Sequence, residues 1–147
     1  MEKLIIYTDG ASRGNPGPAG AGMVFVNKRG DVIEKFCKFL GKKTNNEAEY
    51  EAVILALKKF KALYSKKKAK KTEVEIRTDS ELVAKQMNGR YKIENENLQK
   101  IFMKLWNLRL DFKEVKIKHV PREKNHEADA LANQALDKEI NQKELFL

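Results

Sequence analysis

Asp9 and Asp79 each follow a threonine at the end of a short β-prone run, Lys3 to Thr8 and Glu73 to Thr78. In open α/β sheets ligands bind at the carboxyl ends of strands. A lone Asp there also serves as a turn former or cap; two Thr-Asp strand ends favour a site. Glu49 stands on a helical pattern from Glu47 to about Leu63. Laid out at about 100° per residue from Ala48, it falls within the arc of Ala52, Val53, Ala56 and Phe60. Glu47 and Glu51 fall opposite, beside Lys58, and read as solvated acids. A carboxylate on a buried face is unfavourable unless it is paired or holds a metal. Asp129 lies inside the arc of Ala132, Leu136 and Ile140 on the last helix, although the dipole of a first turn favours an acid there in any case. Four acids thus project from two strand ends and two helix starts. Their oxygens suit hard divalent cations such as Mg2+, and two such ions suit in-line displacement at phosphorus.

The charge of the chain suggests which phosphorus compound. Thirty Lys and Arg against 21 Asp and Glu give a net charge of +9 over 147 residues. That balance favours a polyanion, most often nucleic acid, so a phosphodiester is the natural substrate. The length fits one domain, read as residues 1–140 followed by a weakly specified tail over 141–147. A single cysteine, Cys37, excludes an intrachain disulfide framework and a Cys-rich zinc site. No apolar run approaches the ~18 residues of a membrane span, and the N-terminal apolar stretch is too short for a signal sequence. The expectation is a cytoplasmic monomer with no membrane partner.

The elements that must position the acids follow from periodicity and turn chemistry. Lys3 to Thr8 reads as a strand, and Gly10 to Gly22 as a turn-rich loop. Gly22 to Asn27 and Val32 to Leu40 form a hairpin about Lys28-Arg29-Gly30-Asp31. Thr44-Asn45-Asn46 offers caps for the first helix, and a lysine-rich connector, Lys66 to Lys71, leads to the strand Glu73 to Thr78. Ser80 can cap a short helix ending near Asn88-Gly89, and Asn95 to Leu110 has helical periodicity. Glu114 to Val120 reads as a fifth strand, and Asn125 can cap a last helix to about Lys138. Strands one to three can form a meander and the later strands alternate with helices, which predicts a mixed α/β sheet with helices packed on it.

Taken in order, these motifs resemble the type 1 ribonuclease H family. Asp9-Gly10-Ala11-Ser12-Arg13-Gly14-Asn15-Pro16-Gly17-Pro18-Ala19-Gly20 is similar to its first-strand motif, and Thr44-Asn45-Asn46-Glu47-Ala48-Glu49 to the opening of its first helix. Thr78-Asp79-Ser80 matches its third acid, and His119, Asn125 and Asp129 match its closing motif. The resemblance implies a ribonuclease H-like fold: a five-stranded mixed sheet with the second strand antiparallel and helices on both faces. It implies an endonuclease that hydrolyses the RNA strand of an RNA/DNA hybrid, leaving 5′-phosphate and 3′-hydroxyl ends. By position, Asp9, Glu49, Asp79 and Asp129 would ligate two Mg2+ ions, with Mn2+ as the alternative metal and Asp9 shared between them. One ion would activate water and the other would stabilise the leaving 3′-oxygen. His119 would shuttle a proton. Ser12, Asn15, Asn45 and Asn46 would line the substrate groove, reaching 2′-hydroxyls across a wide minor groove, and Thr44 would form part of a phosphate contact to the DNA strand.

The chain departs from the best-known bacterial pattern in two places. Met87-Asn88-Gly89-Arg90-Tyr91 leaves little room for a basic protrusion, whereas Lys58 to Lys71 holds eight lysines and no acid. Glu81 stands where many relatives place a glutamine near the RNA strand. The glycine-rich segment Gly14 to Gly22 lacks a Gly-Lys-Ser/Thr ending and leads into a strand, so it does not read as a nucleotide loop. His126 reads as solvated, and Trp106 as core together with Phe102 and Leu105. Two competing readings are a non-catalytic nucleic-acid binder on the same fold and a resolvase- or transposase-type nuclease. The full set of acids argues against the first, and the Asn-rich helix start and closing motif against the second.

Overall fold

The computed structural model describes residues 2–145. The strands are β1 (Lys3–Ser12), β2 (Gly17–Val26), β3 (Val32–Lys43), β4 (Glu73–Thr78) and β5 (Glu114–His119). The helices are α1 (Asn45–Tyr64), α2 (Lys66–Ala69), α3 (Glu81–Met87), α4 (Glu96–Leu108) and α5 (His126–Leu145). The five strands form one sheet in the order β3-β2-β1-β4-β5. β2 is antiparallel to both of its neighbours, and β4 is parallel to β1 and β5. This is the mixed sheet that the motifs imply.

Alternation along β1 divides the core between the two faces. Leu4 and Ile6 point to the side of α1, where they pack with Tyr50, Val53, Leu57 and Phe60. Ile5 and Tyr7 point to the other side, against Val24, Val26 and the start of α5. Each large side chain buried this way contributes about 1.5–3 kcal/mol. On the α1 side a buried polar bridge fixes the segment between α3 and α4. Tyr50 Oη donates to Gln86 Oε1 at 2.6 Å, and Gln86 Nε2 donates to the Lys92 carbonyl at 3.1 Å.

Four sequence expectations need correction. The glycine-rich stretch is mostly strand: β1 continues to Ser12 and β2 begins at Gly17, so the connection is only residues 13–16. Gly20 and Gly22 are there for close approach of a helix. A Cβ on Gly20 would lie 2.4 Å from the Ala132 carbonyl oxygen, and one on Gly22 would lie 2.1 Å from that of Ala128. With Ala128, Ala132 and Ala135 buried on the facing side, α5 seats directly on β2. The lysine-rich connector contains the helical turn α2, anchored by fully buried Ala69 and Thr72. The last helix does not stop near Lys138 but continues to Leu145, into the expected tail; residues 146–147 lie outside the described residues. Trp106 is not core. Leu98, Ile101 and Leu105 form the buried stripe of α4, and Trp106, one residue round, is 38% exposed. Its ring stacks on Phe102 at 5.5 Å and carries the Arg109 guanidinium 3.5 Å from its centroid.

Among the described residues, no helix is long and apolar enough to cross a membrane.

Candidate active site

The acids meet because the pairing of the three parallel strands stops at one level, although β1 itself runs on to Ser12 against β2. Thr8 pairs with Thr78 between β1 and β4, and Thr78 pairs with His119 between β4 and β5. The next residues, Asp9 still within β1 and Asp79 just past the end of β4, therefore stand side by side. His119 ends β5 on the same level and is exposed.

α1 delivers Glu49 to this edge. Its start is fixed by a capping box in which Thr44 Oγ1 accepts from the Glu47 N–H at 3.1 Å and Glu47 Oε1 accepts from the Thr44 N–H at 2.8 Å. Such a pair satisfies two of the orphan donors of a helix start. Glu47 is thus engaged in its own helix rather than freely solvated. Gly10 lets the first turn lie against β1, since a Cβ there would sit 2.1 Å from the Ala48 carbonyl oxygen. Glu49 then accepts from the Gly10 N–H and from Thr78 Oγ1, the latter at 3.4 Å.

Asp129 arrives on the opposite face. Asn125, 1% exposed, donates from Nδ2 to the Thr8 carbonyl at 2.9 Å, and its own carbonyl accepts from the Asp129 N–H at 3.1 Å. Its side chain therefore ties α5 to β1 instead of capping the helix. Gly22, the register partner of Asp9, admits the first turn of α5. The two glycines beside Asp9, one next in sequence and one across the ladder, thus set the approach of both acid-bearing helices. Sequence reasoning missed this role. The signal was present in the glycines at Gly10 and Gly22, but it read as turn chemistry.

Asp9, Glu49 and Asp79 each offer an oxygen, and these atoms all lie within 4.8 Å of one another. Asp129 lies outside this tight group but close enough to act electrostatically on Asp9. Burial is the main cause that pushes the Asp9 carboxyl up from 3.8 to about 8, with the Asp79 charge second. Burial likewise raises Glu49 well above the ordinary range, followed by the charges of Asp9 and Asp79. Like charges this close in a partly dry site cannot all ionise without a counter-charge. An all-oxygen set of converging carboxylates fits a hard divalent cation, and a bound cation would supply that counter-charge.

The expected substrate residues form one patch at the β1 end and the α1 start. The Asn45 N–H donates to Asn15 Oδ1 at 3.0 Å, and the Ser12 N–H donates to Asn45 Oδ1 at 3.2 Å. Ser12 Oγ is spent on backbone, donating to the Lys43 carbonyl at 2.8 Å. Thr44 Oγ1 is spent on its cap. The Nδ2 amides of Asn15 and Asn45, and the exposed Asn46 side chain, have no partner among the described residues, so this patch presents neutral donors. Glu81 lies on the other side of the centre, close enough to feel His119. Its Oε1 lies 2.5 Å from Lys85 Nζ, which also donates to Tyr91 Oη at 3.1 Å. The acid at this departure from the pattern is therefore paired with a cation. His126 is exposed, as expected.

A family model described as reverse transcriptase-like matches residues 7–135. A ribonuclease HI of Halobacterium salinarum is 41% identical over 135 residues, spanning 92% of this chain and 65% of its own length. Three mycobacterial relatives are 38% identical, and the chain spans only 36% of their length. Among solved structures, the ribonuclease H1 called LC11, isolated from compost, superposes with a TM-score of 0.88 at 43% identity, covering 95% of this chain and 99% of that one. A second LC11 structure, in complex with an RNA/DNA hybrid, gives 0.87 at 42% identity, covering 93% of this chain and 99% of that one.

Proposed function

This chain belongs to the ribonuclease H family, and from that premise we propose that it is an endonuclease that cuts the RNA strand of RNA/DNA hybrids. One observation carries the reading: Asp9, Glu49 and Asp79 converge to within 4.8 Å where the parallel pairing of β1 with β4 stops, in a chain of net charge +9. The hybrid bound by the similar LC11 enzyme supports the substrate class. Asp9, Glu49, Asp79 and Asp129 would hold two divalent cations, Mg2+ by preference. When bound, such ions supply an activated water and stabilisation of the leaving 3′-oxygen.

The chain's own residues do the rest. Asp9, which interacts with all three other acids, would be shared between the two metal positions. Glu49 and Asp129 hold their places through Gly10, Gly22 and Asn125. Asn15, Asn45 and Asn46 offer amide donors to 2′-hydroxyls, which tell RNA from DNA. Ser12 supports this patch by bracing the β1 end, and Thr44 by fixing the α1 start beside the DNA strand. His119, exposed at the end of β5, moves a proton near neutral pH. Water adds to phosphorus, the P–O3′ bond breaks, the oxygen of water stays on the 5′-phosphate, and the 3′-oxygen leaves as hydroxyl. The chain acts as a cytoplasmic monomer with no membrane partner.

The test pairs two acids of α1 and β4. Asp79→Asn keeps shape and removes a ligand charge, so cleavage should be lost while hybrid binding in chelator persists. Glu47→Gln should leave cleavage intact, since an amide oxygen can still accept from Thr44. Near-wild-type turnover by Asp79→Asn in Mg2+, or equal loss from both variants, overturns the assignment.

A further inference from the structure

The pole of the sheet opposite the acids carries a second built feature. Ser65, Lys67, Lys68, Lys71 and Lys113 line a cleft of about 440 Å³, closed on one side by Glu2. No apolar or aromatic side chain lines it. The lysines have no ion-pair partner among the described residues, and Glu2, the one acid, reaches for Lys28 at 4.0 Å. Nearby, Lys116, and at longer range Lys3 and Lys113, hold the Glu73 carboxyl below the usual range.

The backbone beneath this array is anchored. Ala69 and Thr72 are fully buried beneath it. Thr72 Oγ1 donates to the Lys68 carbonyl at 2.8 Å, and the Lys113 N–H lies 3.2 Å from the carbonyls of both Ala69 and Thr72. At the mouth, Ser65 adopts φ 90° and ψ 158°, a region that is nearly glycine-only and costs a non-glycine residue about 1–3 kcal/mol. The strained residue ends α1 with its N–H on the Lys61 carbonyl and accepts the Lys68 N–H at its hydroxyl. Holding several unpaired cations together in a strained, anchored turn opposes stability, and strain retained in this way is a mark of function.

We propose that this cleft is a phosphate site that grips the backbone of a nucleic-acid strand outside the catalytic edge. β4 separates the two: its six residues, Glu73 to Thr78, run from the connector to Asp79, about 20 Å at 3.3 Å per residue. The cleft therefore takes a flanking or second segment, not the scissile phosphate. Strongly hydrated ammonium groups with no apolar or aromatic side chain among them suit phosphate oxygens read without sequence. An acidic protein partner would call for an apolar centre to bury, which the lining lacks. This site goes beyond the hybrid-cleavage reading and does not depend on it, because its ligand need not be cut.

The test is binding of a short labelled single-stranded DNA in chelator across about 50–200 mM salt, by fluorescence anisotropy. The triple substitution Lys67→Ser, Lys68→Ser, Lys71→Ser is compared with a charge-matched control on exposed lysines elsewhere, Lys100→Ser, Lys104→Ser, Lys138→Ser. Thermal melts verify that both fold. Each lost contact reduces the log–log slope by about 0.7 for a single strand, so the cleft triple should flatten it by about 2 while the control changes it little. Glu2→Gln should tighten binding. Equal slopes for the two triples overturn the proposal. So does lysine-dependent binding of tripolyphosphate or polyglutamate with no lysine dependence for DNA, since either would assign the cleft to a different anion. Hybrid cleavage is scored separately, so failure of one reading leaves the other standing.

Discussion

Asp9→Asn should stabilise the protein in chelator, and the gain should grow with pH. The Asp9 carboxyl is pushed up from 3.8 to about 8 by burial and then by the Asp79 charge. Between those two values the folded chain binds more protons than the unfolded one, so stability is full at low pH and is lost as pH rises through the folded value. At 1.36 kcal/mol per unit, the loss accumulated by pH 7 is about 4 kcal/mol. It belongs to the Asp9 and Glu49 carboxyls together, because the hydrogen bond they share lowers Asp9 and raises Glu49. Asparagine keeps the shape and does not titrate. Urea unfolding of both proteins in chelator, at steps from about pH 4 to 8, isolates the effect of the cluster, because carboxylates outside it cancel in the difference. Variant minus wild type should rise by about 5 kcal/mol over that range. Added Mg2+ should stabilise wild type more than the variant and narrow the gap. A difference that is flat, or that falls with pH, refutes the idea of a repulsive buried cluster.

Three other perturbations probe the parts around that cluster. His119→Ala should slow turnover by about 10²–10⁴-fold, toward the low end where water can carry the proton, with little change in hybrid affinity; unchanged turnover with a lower melting temperature would make the residue structural. Gly22→Ala places a Cβ 2.1 Å from the Ala128 carbonyl oxygen, so it should cost about 1–3 kcal/mol in urea unfolding and reduce cleavage by shifting Asp129. Full activity at wild-type stability would show that α5 can yield. Asn125→Ala leaves the buried Thr8 carbonyl without its donor, so about 1–3 kcal/mol should be lost, and Mg2+ should protect the variant less than wild type in thermal melts; equal protection would separate Asn125 from the metal centre.

Much of this architecture was legible because its signals are local. The run Glu73 to Thr78 alternates and is a strand at those same bounds. The 3.6-residue period of α1 put Glu49 among buried alanines and left Glu47 outside the acid group. Less legible were features set by partners distant in sequence. Gly20 and Gly22 looked like turn residues because their reason is the backbone of α5, more than 100 positions later. Asn125 looked like a cap, yet its amide binds Thr8 across 117 positions. Trp106 has the composition of core, but its neighbours on the helix already fill the buried stripe and Arg109 covers its face. Lys66 to Lys71 read only as a connector because nothing local shows that Ala69 and Thr72 are buried beneath it.

The central claim, that the converged carboxylates Asp9, Glu49 and Asp79 are those of a hybrid-specific nuclease, is tested most directly by cleavage. Strand-labelled RNA/DNA, DNA/DNA and RNA/RNA duplexes of one sequence are incubated with the protein in Mg2+ and in chelator. The expected result is internal cuts in the RNA strand of the hybrid alone, in Mg2+ only, with 5′-phosphate and 3′-hydroxyl ends. Binding of the hybrid without cleavage, cleavage of the DNA duplex at a similar rate, or cleavage that persists in chelator would contradict it.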